Sequence, residues 1–200
     1  AGQLGLGLGH QTGFVFLGLA VAAELAEGVA LAREGEGLVA VWEILDHHHV
    51  IEEWLPEWAA IRNRPQRNVL HRHTVDRHMV ETAVKAAALV RTVQRSDLLL
   101  IAALLHDLGK GHPGDHSEAG ALVVPGLLQR LGFPAADIEM TTFLVRHHLT
   151  LASVATRRDL DDPATIADVL AVVEPYGQPG LQLLHAVTIA DGRATGRAGW

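Results

Sequence analysis

The stretch 98-LLLIAALLHDLGKG-111 decides the reading of this chain. Leu98 to Leu105 are eight consecutive apolar residues, opened by Ser96 and Asp97 and closed by Gly109 and Gly111. A helix that is apolar all round is a buried one. The pair His106 and Asp107 is therefore expected in the last turn of the most buried helix. An ionised carboxylate left there without a partner would cost several kcal/mol, so the pair asks for a chemical reason.

Working outward, the neighbouring segments also carry helical period. Thr74 is placed to cap a helix whose inward positions are Val75, His78, Met79, Thr82, Ala83, Ala86, Val90 and Val93. After the loop 110-KGHPGD-115, a helix is expected from His116 to Leu131 with a kink at Pro125 and a stop at Gly132. Pro134 opens another, running to about Leu151 with His147 and His148 on it. Asp161 or Asp162 caps the next, with Pro163 in its first turn. The last, from about Gly180 to Asp191, aligns Leu181, Leu184, Thr188 and Asp191. Upstream, 38-LVAVWEILDHHHVIEEWLPEWAAIRN-63 gives two helical pieces broken at Pro56.

Strand-like alternation is nearly absent beyond residue 40, so the expected fold class is all-α: a helical bundle over residues 38–200 with additional N-terminal helices. Residues 1–37 hold nine glycines and one weak helix, Phe14 to Arg33, and form a separate unassigned segment. If that helix leaves an apolar face uncovered, a homo-oligomer is its expected outlet.

Composition excludes several functions. The net charge is −7 and the basic residues are fourteen Arg and two Lys, which offers no broad basic surface for nucleic acid. Cysteine is absent, which removes disulfides, thiolate zinc sites and cysteine nucleophiles. The apolar runs of about ten residues fall short of the roughly 20 that span a bilayer, and no Lys or Arg precedes 14-FVFLGLAVAA-23 as a secretory signal would require. A cytoplasmic protein with no membrane partner is expected.

Histidine is the enriched residue: thirteen in all, eight of them from His71 to His148. Helical period turns inward His78, the pair His106 and Asp107, His116, one of His147 and His148, and Asp191. Single inward histidines are usually core residues held by hydrogen bonds, but five helices converging with metal-ligand residue types call for a metal. Imidazole with carboxylate suits one or two divalent ions, Mn, Fe, Co or Zn, or Mg where carboxylate and water dominate. Period leaves His147 and His148 equivalent.

Those residues carry a resemblance. His78, 106-HDLGK-110 and Asp191 resemble the pattern of the HD superfamily of metal-dependent phosphohydrolases. More closely, 71-HRHTVDRH-78, 106-HDLGKGHPGDHSEAGA-121, 145-VRHHLTL-151, 155-ATRRDLDDPATI-166 and 187-VTIADGRATG-196 are similar to the HD domain of the PII uridylyltransferase and uridylyl-removing family of actinobacteria. The resemblance implies His78, His106, Asp107, His116, His148 and Asp191 as metal ligands, the second histidine of 147–148 being the one the family keeps. It implies hydrolysis of the phosphodiester that joins UMP or AMP to the PII signal protein, by a water or hydroxide held on the metal. Asp107 and Lys110 are then the catalytic groups, Lys110 neutralising charge on the phosphoryl oxygens. Arg157, Arg158 and His147 are candidate substrate contacts, the two arginines forking onto phosphate or the partner protein unless they form a surface pair with Asp159 or Asp161. A full-length member would add transferase and ligand-sensing domains. The chain reads as a fragment with the HD domain alone, acting on small phosphodiesters when isolated.

The other histidines have plainer explanations. His47, His48 and His49 fan around a helix, His112 sits in a solvated loop, His185 is expected in the core, and His71 and His73 merely precede the first ligand helix. Trp42, Trp54 and Trp58 read as packing. Two alternatives stand beside the phosphodiesterase reading: an HD nucleotidase or cyclic-nucleotide phosphodiesterase, and a metal-bound regulatory module without turnover.

Overall fold

The computed structural model describes residues 36–66 and 72–196. The expected helix at 14–33, and with it the unassigned segment and its oligomer hypothesis, lies outside the described residues, as does His71. The described helices are α1 (Glu36–His47), α2 (Val50–Trp54), α3 (Val75–Ala87), α4 (Ser96–Leu105), α5 (His116–Arg130), α6 (Ala135–His147), α7 (Thr150–Arg157), α8 (Pro163–Val173) and α9 (Gly177–Thr195). No strand occurs among the described residues, and the fold is the expected all-α bundle. None of these helices is long and apolar enough to cross a membrane.

Helix α4 is the rod of the bundle, packed by α3, α6 and α9. Leu98 through Leu105 are all buried, and burying each Leu or Ile side chain contributes about 1.5–3 kcal/mol. The rod divides the core in two. Ile101, Leu104 and Leu105 face a cluster with Met79, Val124, Leu128 and Trp58, which the N-terminal α1 and α2 complete. Leu99 and Ala103 face a second cluster with Phe143, Leu144, Leu184 and Val187. Trp42 packs on Trp58 at 5.1 Å in a tilted pair, so the tryptophans are packing residues as expected.

Helix ends show where local signals hold and where packing overrides them. The Asp115 side chain accepts from the Ser117 and Glu118 amides and caps α5. That helix stops at Gly132 (φ 82°), with Phe133 N bonded to the Leu128 carbonyl. Asp162 caps α8 by accepting from Ala164 N, ahead of Pro163. Thr74 occupies the cap position of α3 without a side-chain cap bond. The Val75 amide instead donates to the Arg64 carbonyl at 2.9 Å.

Several boundaries differ from the sequence expectation. Helix α3 ends at Ala87, and Val90 and Val93 reach the second core cluster from a short 3-10 turn and the residue after it. The expected helix from Pro134 to Leu151 is two helices, because the chain turns at His148 and Leu149. Another break, at His49 in the left-handed region (φ 60°), separates α1 from α2. Helix α9 is longer than expected at both ends.

Candidate metal centre

Helix α4 ends at Leu105, so His106 and Asp107 lie just beyond it rather than in its last turn. Asp107 leads into a 3-10 turn, Leu108–Gly111, that presses against the start of α5. Gly109 permits this approach: a Cβ there would lie 1.9 Å from the His116 carbonyl oxygen and 2.4 Å from the Gly120 amide. The contact carries His116, first residue of α5, to the HD pair. His78 arrives on α3, His148 at the end of α6, and Asp191 on α9.

The side chains meet at one point. His78 Nε2 lies 2.9 Å from Asp191 Oδ1 and 3.7 Å from Asp107 Oδ2, while His106 Nε2 lies 3.4 Å from Asp107 Oδ2 and 3.8 Å from Asp191 Oδ1. The other Asp107 oxygen, Oδ1, faces His116 Nε2 at 3.5 Å and His148 Nε2 at 3.8 Å. The two oxygens of one carboxylate thus address two different sets of imidazoles. His78, His106, Asp107 and His148 are at most 2% exposed, whereas His116 opens toward solvent.

Ring orientation is set from behind. The Ala103 carbonyl accepts from His106 Nδ1 at 2.9 Å and the Val145 carbonyl accepts from His148 Nδ1 at 2.7 Å, turning both Nε2 atoms to the centre. Such backing bonds are what metal-binding imidazoles use to fix their orientation. Burial and the charge of His106 push His148 down to about 4, leaving it neutral. Burial likewise lowers His116. Burial works against a charged His106 too, but Asp107 and Asp191 raise its pKa above the ordinary value. Burial opposes ionisation of the two carboxylates, and the surrounding imidazoles, with Lys110 beside Asp107, hold both below their ordinary values.

This geometry fits a divalent cation. Donor atoms about 2.1 Å from one ion lie roughly 3–3.5 Å from each other, close to the separations found here. His106 Nε2 is buried with no hydrogen-bond partner, and two ionised carboxylates favour positive charge between them. Among the described residues, three overlapping groups place their donors within 4.8 Å of one another: His78, His106 and Asp107; His106, His148 and Asp191; Asp107, His116 and His148.

The HD domain family matches residues 75–194, a span that runs from the start of α3 to near the end of α9. The chain belongs to the HD-domain family. Relatives named bifunctional uridylyltransferase/uridylyl-removing enzyme include one from Streptomyces coelicolor, 53% identical over 86% of this chain and 20% of the relative. Another, from Mycobacterium tuberculosis, is 49% identical over 83% of this chain and 20% of its own length. One from Nitrobacter winogradskyi is 37% identical over 76% and 18%. The chain spans about a fifth of the length of these relatives. Family and relatives make this HD domain a metal-dependent phosphohydrolase.

Around its cluster the HD domain opens a cavity of about 980 Å3, lined by Asp107, Lys110, His116, His148 and Asp191 at one part and by residues of α7 and α9 elsewhere. Lys110 Nζ donates to Asp107 Oδ2 at 2.6 Å and to Gln66 Oε1 at 2.7 Å. Gln66 went unnoticed in the sequence because it stands in an irregular segment with no period to assign its direction. Thr188 donates to the Leu184 and His148 carbonyls, tying α9 to the backbone of a cluster residue.

Other expected contacts lie elsewhere. His147 packs on Phe143 at 5.1 Å and is not in the cavity wall, so tertiary structure separates it from His148. Arg157 and Arg158 are exposed outside the cavity lining, and Arg158 pairs with Asp168 rather than Asp159 or Asp161. His185 is not a core residue: it is exposed and lines the cavity. His112 is exposed and His73 half-buried. His49 lies 3.4 Å from Glu52, and among the described residues no metal-capable group includes His47, His48 or His49.

Proposed function

We propose that this HD domain hydrolyses phosphodiesters, with a nucleotidylated PII protein as the native substrate and small activated diesters as substrates of the chain by itself. The observation that carries the reading is the split Asp107 carboxylate, one oxygen toward His78 and His106 and the other toward His116 and His148, beside Lys110. His78, His106, Asp107 and Asp191 would hold one divalent ion, and His116 and His148 with the other Asp107 oxygen would supply donors for a second. Bound there, a divalent ion supplies Lewis-acid polarisation of phosphoryl oxygens and lowers the pKa of water toward neutrality.

The protein groups divide the remaining work. Asp107 anchors Lys110, and the ammonium offsets negative charge that grows on the phosphoryl oxygens as the bond to the leaving oxygen breaks. Gln66 holds the same ammonium from the other side and fixes its direction. Water adds to phosphorus and the leaving oxygen departs as a hydroxyl, giving a nucleoside monophosphate and, on PII, the free side chain. Arg157 and Arg158 follow Thr156 of the cavity wall in sequence and suit contact with the protein part of that substrate.

The test is elemental analysis for bound metal, followed by assays of an activated diester and of uridylylated and adenylylated PII, with Asp107→Ala alongside. Expected are bound divalent metal and a loss of turnover of more than ~100-fold in the variant, beyond what loss of a ligand's supporting partner costs. Unchanged turnover in Asp107→Ala would sink the proposal. So would bound metal with no turnover of any of these substrates.

A further inference from the structure

Helix α7 differs from its neighbours in having no buried residue, although half of its sequence, TLASVATR, is apolar. Ala152 and Ala155 are exposed, as is Leu149 just before it at 41%, and all three line the cavity that opens from the metal cluster. Across from them, α9 contributes His185, Thr188 and Ile189, spaced i, i+3 and i+4 on one face of that helix, and Asp191 lines the same cavity further along it. An apolar helix face lying open beside a reaction centre is a face that an occupant covers.

Position along α9 says which part of a substrate that is. At 1.5 Å rise per residue, His185 lies about 9 Å along the axis from Asp191. A phosphoryl group at the cluster, met by Lys110, places what is attached to it along this wall. The adjoining group must be largely flat and apolar to cover Ala152, Ala155 and Ile189, and must carry hydrogen-bonding atoms at its far edge to meet His185. A nucleoside has this form. The side chain on the other ester oxygen leads into the polypeptide of PII, which needs open surface.

We infer that the groove between α7 and α9 seats the nucleoside of the substrate, with Ala155 setting the room for the base and His185 reading its edge. The inference rests on the phosphodiesterase reading and assigns its nucleotide portion to one wall of the cavity. His185 is here a specificity residue: it touches the base and takes no part in the phosphoryl step. Both positions are exposed, so their substitution leaves the core alone.

The experiment compares the p-nitrophenyl ester of UMP with bis(p-nitrophenyl) phosphate, which has no nucleoside, in the metal-loaded chain, His185→Ala, His185→Gln and Ala155→Leu. The ratio of kcat/KM for the UMP ester to that for the plain diester is expected to fall about fivefold in His185→Ala through KM, as for one lost hydrogen bond. His185→Gln should recover part of it. Ala155→Leu should lower the ratio by about tenfold or more, because added methylenes fill the base site. In parallel, titration calorimetry should show UMP binding tighter than inorganic phosphate, and that preference should shrink in both Ala155→Leu and His185→Ala. A ratio unmoved by all the variants, or UMP binding no tighter than phosphate, overturns the inference even if both esters are cleaved. Nucleoside-dependent binding without cleavage of either ester instead overturns the phosphodiesterase reading and leaves the groove assignment standing.

Discussion

The two ends of α4 carry the same kinds of group in opposite surroundings. At its start, Arg95 forks onto Asp97 at 2.7 Å and Asp137 at 2.8 Å, with Arg95 and Asp97 each nearly half exposed. Beyond its end, Asp107 meets Lys110 at 2.6 Å and four imidazoles within 3.8 Å, with 2% of its own surface exposed. The outer network fastens α6 to the helix start and is screened by water, so it contributes little. The inner one is dry, where charges interact strongly and must be compensated. Ten residues of rod separate a surface clasp from a reaction centre, and burial accounts for the contrast.

The largest effect on this contrast should come from the rod itself. Leu99→Ala empties volume in the second core cluster and is expected to cost about 2.7–5 kcal/mol, read as a lowered urea midpoint. If stability changes by less than about 1 kcal/mol, the rod is not the rigid link between the two ends.

Metal removal should come next and should touch the inner end alone. With metal at about 100 times its Kd, binding adds about 2.7 kcal/mol, so chelation should lower Tm by roughly 5–10 °C for a domain of this size. The same loss should appear in Asp97→Asn, since that site lies at the other end. A chelator that leaves Tm unmoved at saturating metal would count against a folded-state site.

The smallest effect belongs to the outer clasp. Burial opposes ionisation of Asp97, but its hydrogen bonds to Arg95 and the backbone lower its pKa below the ordinary value. A depressed carboxylate pKa adds stability that is present above about pH 4 and is lost as pH falls through the folded value. Asp97→Asn should therefore cost less than about 1 kcal/mol at pH 7 and flatten part of the acid limb of the stability curve. A cost like that of Leu99→Ala would mean that the two ends of the helix are not as different as their exposure indicates.

The bundle was legible because eight apolar residues in a row have one destination, and because a cap such as Asp162 acts within a few residues. The HD pair, His78, His116 and Asp191 were legible as inward residues of the right chemistry. The turn at His148 was not, since nothing in 145-VRHHLTL-151 breaks helical period, and packing of α6 and α7 against α9 sets it. His185 was misplaced for a related reason. Its neighbours point inward, but the cavity beside α9 keeps that part of its surface open.

By itself, then, the order of residue types determined an all-α chain with a buried rod and a set of histidines and carboxylates suited to a metal, because period and local hydrogen bonding act over one or two turns. Tertiary structure decided what helical period left open, that His148 rather than His147 enters the centre, and it alone decided that the two Asp107 oxygens face different imidazoles, that Gln66 holds Lys110, and that α7 walls a cavity. Those facts depend on side chains from distant segments meeting within about 4 Å, and no spacing along a single helix encodes that.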